Sequence, residues 1–188
     1  AQQGFALFQG KGGCASCHSI DKEWALFTDQ QLHNTGIGYQ NLQQSKLQKV
    51  QLAPGVEVEV SRELINQVSE PPPSDLGLYE ITQNPADRWK YRTPSLRNVA
   101  LTAPYMHNGA LQDLAAVIDF YDQGGIANPE LSSLIHPLYL TLTEKKQLLS
   151  FLNTLTGSDV DKLVDDAMNA PIGDHQVAYS AKFSNGRK

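Results

Sequence analysis

At 188 residues, 40% of them hydrophobic, and with a mean hydropathy of −0.36, the chain has enough material for one buried core. No apolar run approaches the roughly 20 residues that a membrane-crossing helix needs. The formal charge of −5 is spread along the sequence, which excludes a nucleic-acid footprint and leaves a weakly acidic surface suited to solubility or to a basic redox partner.

The chain opens on Phe5, Leu7 and Phe8, spaced as a short amphipathic helix. Gly10, Gly12 and Gly13 follow and allow close approach of backbone to a bulky group. Then comes Cys14-Ala-Ser-Cys17-His18, which holds the only two cysteines of the chain. This is the attachment signature of a c-type haem. Two thiols one turn apart can form thioethers to the two vinyl groups of one porphyrin, and the adjacent imidazole becomes the proximal iron ligand. A disulfide, a redox dithiol and half of a zinc site are the competing readings. A dithiol does not require the following His, and no second Cys pair completes a zinc cluster. One covalent haem c is therefore the expected cofactor. Such attachment takes place on the outer side of an energy-transducing membrane, so a bacterial periplasm is the expected location. No leader precedes Ala1, and the chain reads as a mature product or a piece of something longer.

Residues from about 24 to 75 have weak periodicity, apart from Val56-Glu-Val-Glu-Val60, which alternates as a short strand or hairpin arm. Pro71-Pro-Pro73 punctuates the chain, and Asp75 is a candidate cap for a helix over Leu76–Ile81. Leu111, Leu114, Val117, Ile118 and Tyr121 recur at helical spacing until Gly124-Gly125. A further helix opens at Leu142 with Thr143 as its candidate cap and runs through Leu148, Leu149, Leu152 and Leu155 to Gly157. Asp159 to Met168 reads as a short helix. The fold class is mainly α: a cytochrome c-like haem domain over residues 1–173, with long loops and a short β hairpin, and a surface tail over 174–188.

The second axial position of the iron has several candidates: Met106, Met168, Tyr121, and the histidines at 33, 107, 136 and 175. In a small electron carrier the ligand is Met, whose thioether favours ferrous iron. Composition alone points to Met106, in the turn Ala-Pro-Tyr-Met-His-Asn-Gly, against the plainer reading of Met106 and Tyr105 as pocket residues. His33, His136 and His175 carry no sequence sign of function.

Longer motifs add to this. Tyr91-Arg-Thr-Pro-Ser-Leu-Arg-Asn98, Leu101-Thr-Ala-Pro-Tyr-Met-His-Asn-Gly109, Leu32-His-Asn-Thr-Gly-Ile-Gly38 and Phe151-Leu-Asn-Thr-Leu-Thr-Gly157 resemble the C-terminal half of the bacterial di-haem cytochrome c peroxidase/MauG family. The resemblance runs from the haem motif to about residue 173. It implies a cytochrome c-like domain carrying the six-coordinate haem, which relays electrons to a peroxide-reactive haem on a second domain or subunit. The single C-x-x-C-H departs from the family's pair. The Trp that the family places between its haems belongs to the absent half and matches neither Trp24 nor Trp89.

The resemblance also suggests roles. Family peroxidases carry a Met ligand fourteen residues beyond the His of the Pro-Tyr-x-His segment, and the MauG branch carries a Tyr there. Counted from His107, that position is Tyr121. A phenolate ligand stabilises ferric and higher-valent iron, so Tyr121 becomes the expected distal ligand and Met106 a pocket residue. His107 matches a pocket element near the boundary of the two haem domains, where it would bind a propionate or move protons. Thr102 and Pro104 match positions whose carbonyls help to bind an interdomain calcium, a hard cation that prefers oxygen. Arg92 and Arg97 are candidates to pair with propionates or with the partner domain. Three functions follow: a haem domain of a peroxidase-like or MauG-like oxidoreductase, with a protein or small molecule as donor; a stand-alone electron-transfer cytochrome; or a haem sensor or assembly module. A phenolate ligand favours the first.

Overall fold

The computed structural model describes residues 1–43, 47–61 and 75–170. Contacts divide the chain into two units, Ala1–Thr156 and Gly157–Lys188. The surface tail expected over 174–188 and the Pro71–Pro73 punctuation lie outside the described residues.

The first unit is built on a helix crossing. Helix α1 (Gln2–Gln9) buries Gly4 and Phe8 and packs on helix α5 (Leu142–Asn153). Gly4 makes the close approach possible, because a Cβ there would lie 1.9 Å from the Gln147 carbonyl oxygen. Phe8, 1% exposed, meets Phe151 edge-on at 5.2 Å, and Phe5 meets the same ring at 5.3 Å. Helix α4 (Leu114–Asp122) adds Leu114 and Ile118 to this core, and a 3-10 turn adds Val99.

Helix starts depend on caps that hydrophobic spacing does not show. Leu111 fits the helical spacing, yet it pairs with Tyr105 through two backbone hydrogen bonds of 2.7 and 3.3 Å. Helix α4 starts only after Asp113, whose carboxylate accepts the Ala116 N–H at 2.8 Å. Gly124 and Gly125, both at positive φ, then turn the chain. The cap of α5 is Thr141, not Thr143. Thr141 Oγ1 accepts the Glu144 N–H at 3.2 Å, and the Glu144 carboxylate accepts the Thr141 N–H at 2.7 Å, a reciprocal pair that satisfies two end donors. That helix ends at Asn153, before the expected Leu155.

The rest of the first unit is loops and short elements. Strand β1 (Leu32–His33) pairs antiparallel with β4 (Tyr91–Arg92), setting Leu32 against Arg92 and His33 against Tyr91. Helix α2 (Ile37–Gln43) lies between β1 and a second hairpin, β2 (Leu47–Ala53) with β3 (Val56–Ser61). The alternating Val56–Val60 stretch thus forms a hairpin arm. Helix α3 is confined to Tyr79–Thr82 with no side-chain cap, because Asp75 accepts the Gly77 N–H at 3.2 Å and closes a turn instead. In the second unit the expected short helix is α6 (Val160–Met168). Among the described residues the protein is mainly helical, with two small two-stranded sheets. Among the described residues no helix is long and apolar enough to cross a membrane.

Candidate haem site

The chain leaves α1 through the glycine cluster and tightens into a 3-10 turn, Cys14–Ser16. The His18 N–H bonds the Cys14 carbonyl at 2.9 Å, so both cysteines and the histidine share one turn. Gly12 lets the turn sit against α1, since a Cβ there would meet the Leu7 carbonyl at 2.8 Å. Neither cysteine is in a disulfide. Burial, then Cys17 acting against a backbone hydrogen bond, pushes the Cys14 thiol up to about 11. Burial and then the charge of Asp29 push Cys17 up as well.

The His18 ring is fixed in one orientation. Its Nδ1 stands 2.8 Å from the Phe27 carbonyl, which can only accept, so Nδ1 carries the hydrogen and Nε2 keeps its lone pair. Burial pushes this imidazole below its ordinary pKa, against the opposing pull of Phe27, Asp29 and Pro94, and so keeps it neutral. The carbonyl is itself fixed. The Phe27 N–H bonds the Ser19 carbonyl at 3.2 Å, Ser19 Oγ donates to the Thr28 carbonyl at 2.8 Å, and Thr28 Oγ1 donates to the Thr93 carbonyl at 2.7 Å.

Cys14, Cys17 and His18 line a cavity of about 430 Å³. Its other walls are mainly apolar, among them Phe8, Val99, Leu114, Ile118 and Leu152. Paired thiols, an imidazole with a free Nε2 and a large apolar cavity beside them are what a covalently held haem requires, and the residues present fit one.

Most of the sequence candidates meet in this cavity. Tyr121, in the last turn of α4, lines it. Burial, with the fields of Cys14 and Cys17 adding to it, pushes the Tyr121 phenol well above its usual range. Among the described residues nothing hydrogen-bonds the Tyr121 hydroxyl. Met106 lines the cavity at φ 69, in a turn closed by the Gly109 N–H on the Met106 carbonyl at 3.2 Å. His107 does so with its ring stacked on Tyr91 at 3.6 Å and 10°, and its Nε2 3.0 Å from Asp75 Oδ2. Burial lowers the His107 pKa, and Asp75 partly restores it. Thr102 and Pro104 also reach the cavity, with Thr102 Oγ1 donating to the Val99 carbonyl at 3.0 Å. Arg92 lines it and bonds Gln30 Oε1, whereas Arg97 is exposed and outside the lining.

Two histidines without a sequence signal, His33 and His136, are in the lining as well. His33 is not alone: its Nε2 is 2.7 Å from Asp29 Oδ2, and ligand atoms of His33, Asp29 and Cys17 lie within 4.8 Å of one another. His175 lies outside the described residues. Met168 is exposed on α6 in the second unit.

No protein-family model matches the chain. Cytochrome-c peroxidase IdrP2 of Denitromonas iodatirespirans is 39% identical over 165 residues, covering 85% of this chain and 40% of that protein. The methylamine utilization protein MauG of Methylorubrum extorquens is 37% identical over 155 residues, covering 82% and 34%. Among solved structures, a MauG-like protein associated with microbial copper homeostasis superposes with a TM-score of 0.58 at 31% identity, over 84% of this chain and 47% of that one. The diheme peroxidase BthA from Burkholderia thailandensis E264, at 22% identity and TM-score 0.56 over 84% and 42%, shares the fold. The chain spans 40% or less of these two curated relatives. It belongs to the bacterial di-haem cytochrome c peroxidase/MauG family.

Proposed function

We propose that this chain is the periplasmic six-coordinate haem domain of a MauG-like or peroxidase-like oxidoreductase, equivalent to the C-terminal half of its relatives. The observation that carries the reading is the shared cavity, in which the Cys14–His18 turn and Tyr121 line one apolar space. A haem bound there supplies one-electron storage and relay toward a peroxide-reactive haem on a partner domain or subunit.

The chain's own residues divide the remaining work. Cys14 and Cys17 would anchor the group, His18 would offer Nε2 to its iron, and Tyr121 would offer its phenol oxygen. Burial disfavours its ionised form, so ionisation of Tyr121 would need a neighbouring positive charge, which ferric haem iron would supply. Met106 fills the pocket beside it. His107, with one nitrogen on the half-exposed Asp75 carboxylate and its ring in the cavity wall, is placed to move a proton or hold a propionate. Arg92 pairs with propionate charge at the cavity edge and Arg97 with the partner domain. Thr102 and Pro104 offer carbonyls to a calcium completed from the partner side.

A stand-alone electron carrier is the second reading, for which Met106, in the same cavity lining, would supply the thioether donor. Intact mass, haem staining and the ferric spectrum of material from the native source separate the two. One covalent haem with oxygen-donor ligation and a co-purifying second haem polypeptide or domain is the expected result. A stable mono-haem monomer with His/Met ligation overturns the proposal.

A further inference from the structure

A second, more polar cavity of about 440 Å³ lies beside the haem cavity, rimmed by the exposed residues Ala86, Pro129 and Ser133. His33 is the residue that lines both. Its position follows from the short sheet: β1 sets His33 against Tyr91 of β4, between the two spaces. The imidazole is only 20% exposed and is held by Asp29 Oδ2 at 2.7 Å. Asp29 is fixed in turn, its Oδ1 accepting the Gln31 N–H at 2.9 Å. Burial works against the Asp29 charge, but the bonds from His33, Gln31 and Thr93 outweigh it and hold the carboxyl below its usual range. The pair therefore joins a fixed anion to an imidazole that reaches both cavities.

We propose that Asp29–His33 is a proton-exchange site at the edge of the haem cavity. His33 takes up one proton from the outer cavity when one electron enters the haem, and returns it when that electron leaves. This rests on the reading that Cys14, Cys17 and His18 hold a haem. The electron comes from a one-electron donor, a reduced redox protein or an electrode, and no covalent bond other than N–H forms or breaks. The driving force is electrostatic. Entry of one negative charge into a poorly screened cavity raises the proton affinity of an imidazole in its wall. Proximity supports the coupling: Cys17 Sγ, one of the two attachment atoms, is within 4.8 Å of the ligand atoms of the pair. Asp29 and His33 also both act electrostatically on His18. Other charged or titratable groups face His33 from its neighbours: Tyr91 and Arg92 on the paired strand, and Lys90 and Glu130 in the outer cavity. Lys90 is already neutralised by Asp87 at 2.9 Å.

The test is the midpoint potential of the haem-loaded protein against pH, by spectroelectrochemistry from about pH 5 to 8. The wild-type potential is expected to fall as pH rises across this window. In His33→Gln most of that slope is lost. In Asp29→Asn the sloping region moves to lower pH, because the imidazole has lost its anion. An unchanged slope in His33→Gln, or a flat wild-type curve, overturns the proposal. If His33→Gln does not load haem, Asp29→Asn decides, and an unmoved curve there overturns it. Absence of covalent haem from the wild-type chain is a failure of the underlying reading and is distinguished by haem staining.

Discussion

The two parts of the cavity that carry the proposed ligands are built on opposite principles. The segment that carries His18 is tied down at every step, through Phe27, Ser19, Thr28 and Thr93, so that one nitrogen donates and the other is free. The segment that carries Tyr121 leaves the hydroxyl without a hydrogen-bond partner among the described residues, and Met106 lies in the same lining on a turn at positive φ. The first segment is a scaffold whose chemistry is fixed by backbone geometry. The second offers a donor whose identity a single side chain decides. That difference separates what the fold needs from what the redox chemistry needs, and it is open to attack from both directions.

The strongest attack is on the helix crossing beneath the scaffold. Gly4→Leu drives a side chain into the Gln147 carbonyl, where even a Cβ would lie at 1.9 Å. Overpacking of this kind costs about 3 kcal/mol when backbone has to move. Denaturant melts of the haem-loaded protein are expected to show that loss, with a matching fall in the yield of covalent haem. A Gly4→Leu protein of wild-type stability would mean that α1 is free to shift and that the scaffold is less rigid than described.

Next comes Thr28→Val, which keeps the shape and removes a buried hydroxyl. Thr28 Oγ1 donates to the Thr93 carbonyl at 2.7 Å and accepts the Gln30 N–H at 3.0 Å, so the change strands two backbone groups. A loss of about 2 kcal/mol follows from leaving buried polar groups unpaired. The ferric spectrum is expected to broaden as the His18 segment loosens.

What was legible in the sequence divides along the same line. Cys14, Cys17 and His18 stand out in the sequence because thioether attachment needs neighbouring residues in a fixed order, and the structure sets them on one turn. Tyr121 is singled out only by resemblance to a family, since its helical spacing marks it equally well as a core side chain, and the structure sets it in the lining of the same cavity. Helix α4 was read three residues too early because Leu111 matches the period, while its pairing with Tyr105 is a matter of chain reversal. Gly4 reads in sequence as a weak point in a helix, since the carbonyl that requires it belongs to residue 147. The Asp29–His33 pair was missed for a related reason. Four residues apart suggests a helix pair, but no helix is there; the chain reverses through Gln30 at φ 61.

The distal side sharpens the comparison in the other direction. Tyr121→Phe removes an oxygen that makes no hydrogen bond to the described residues, so stability is expected to change by less than about 1 kcal/mol. The ferric ligand field, in contrast, is expected to lose its oxygen donor, and Tyr121→Met is expected to raise the potential by a sizeable share of the roughly 0.8 V that axial ligation spans. Electronic absorption and electron paramagnetic resonance check the first, spectroelectrochemistry the second. Unchanged spectra in Tyr121→Phe would hand the ligand role to another residue in the lining, with Met106 the first to test.

The smallest effect belongs to a surface contact that joins the scaffold to the α5 cap. Lys11, three residues before Cys14, reaches Glu144 at 2.7 Å across 133 residues of chain. The Lys11 hydrogen bond and then the Thr141 N–H hold the Glu144 carboxyl at about 2, below its ordinary 4.5. Because the folded value is the depressed one, the contribution is complete above about pH 4.5 and fades as the pH falls toward about 2. Lys11→Met is expected to lower stability slightly at neutral pH, since exposed ion pairs contribute little, and to converge with wild type toward about pH 2, so that the acid side of its stability curve is flatter. Part of the pH dependence persists through Thr141, whose N–H still bonds the carboxylate at 2.7 Å. Urea midpoints at about pH 3 and about pH 6 measure the difference. If Lys11→Met loses stability equally at both, the contact acts through the packing of the lysine stem against α5, and the link between cap and attachment loop is apolar, not electrostatic.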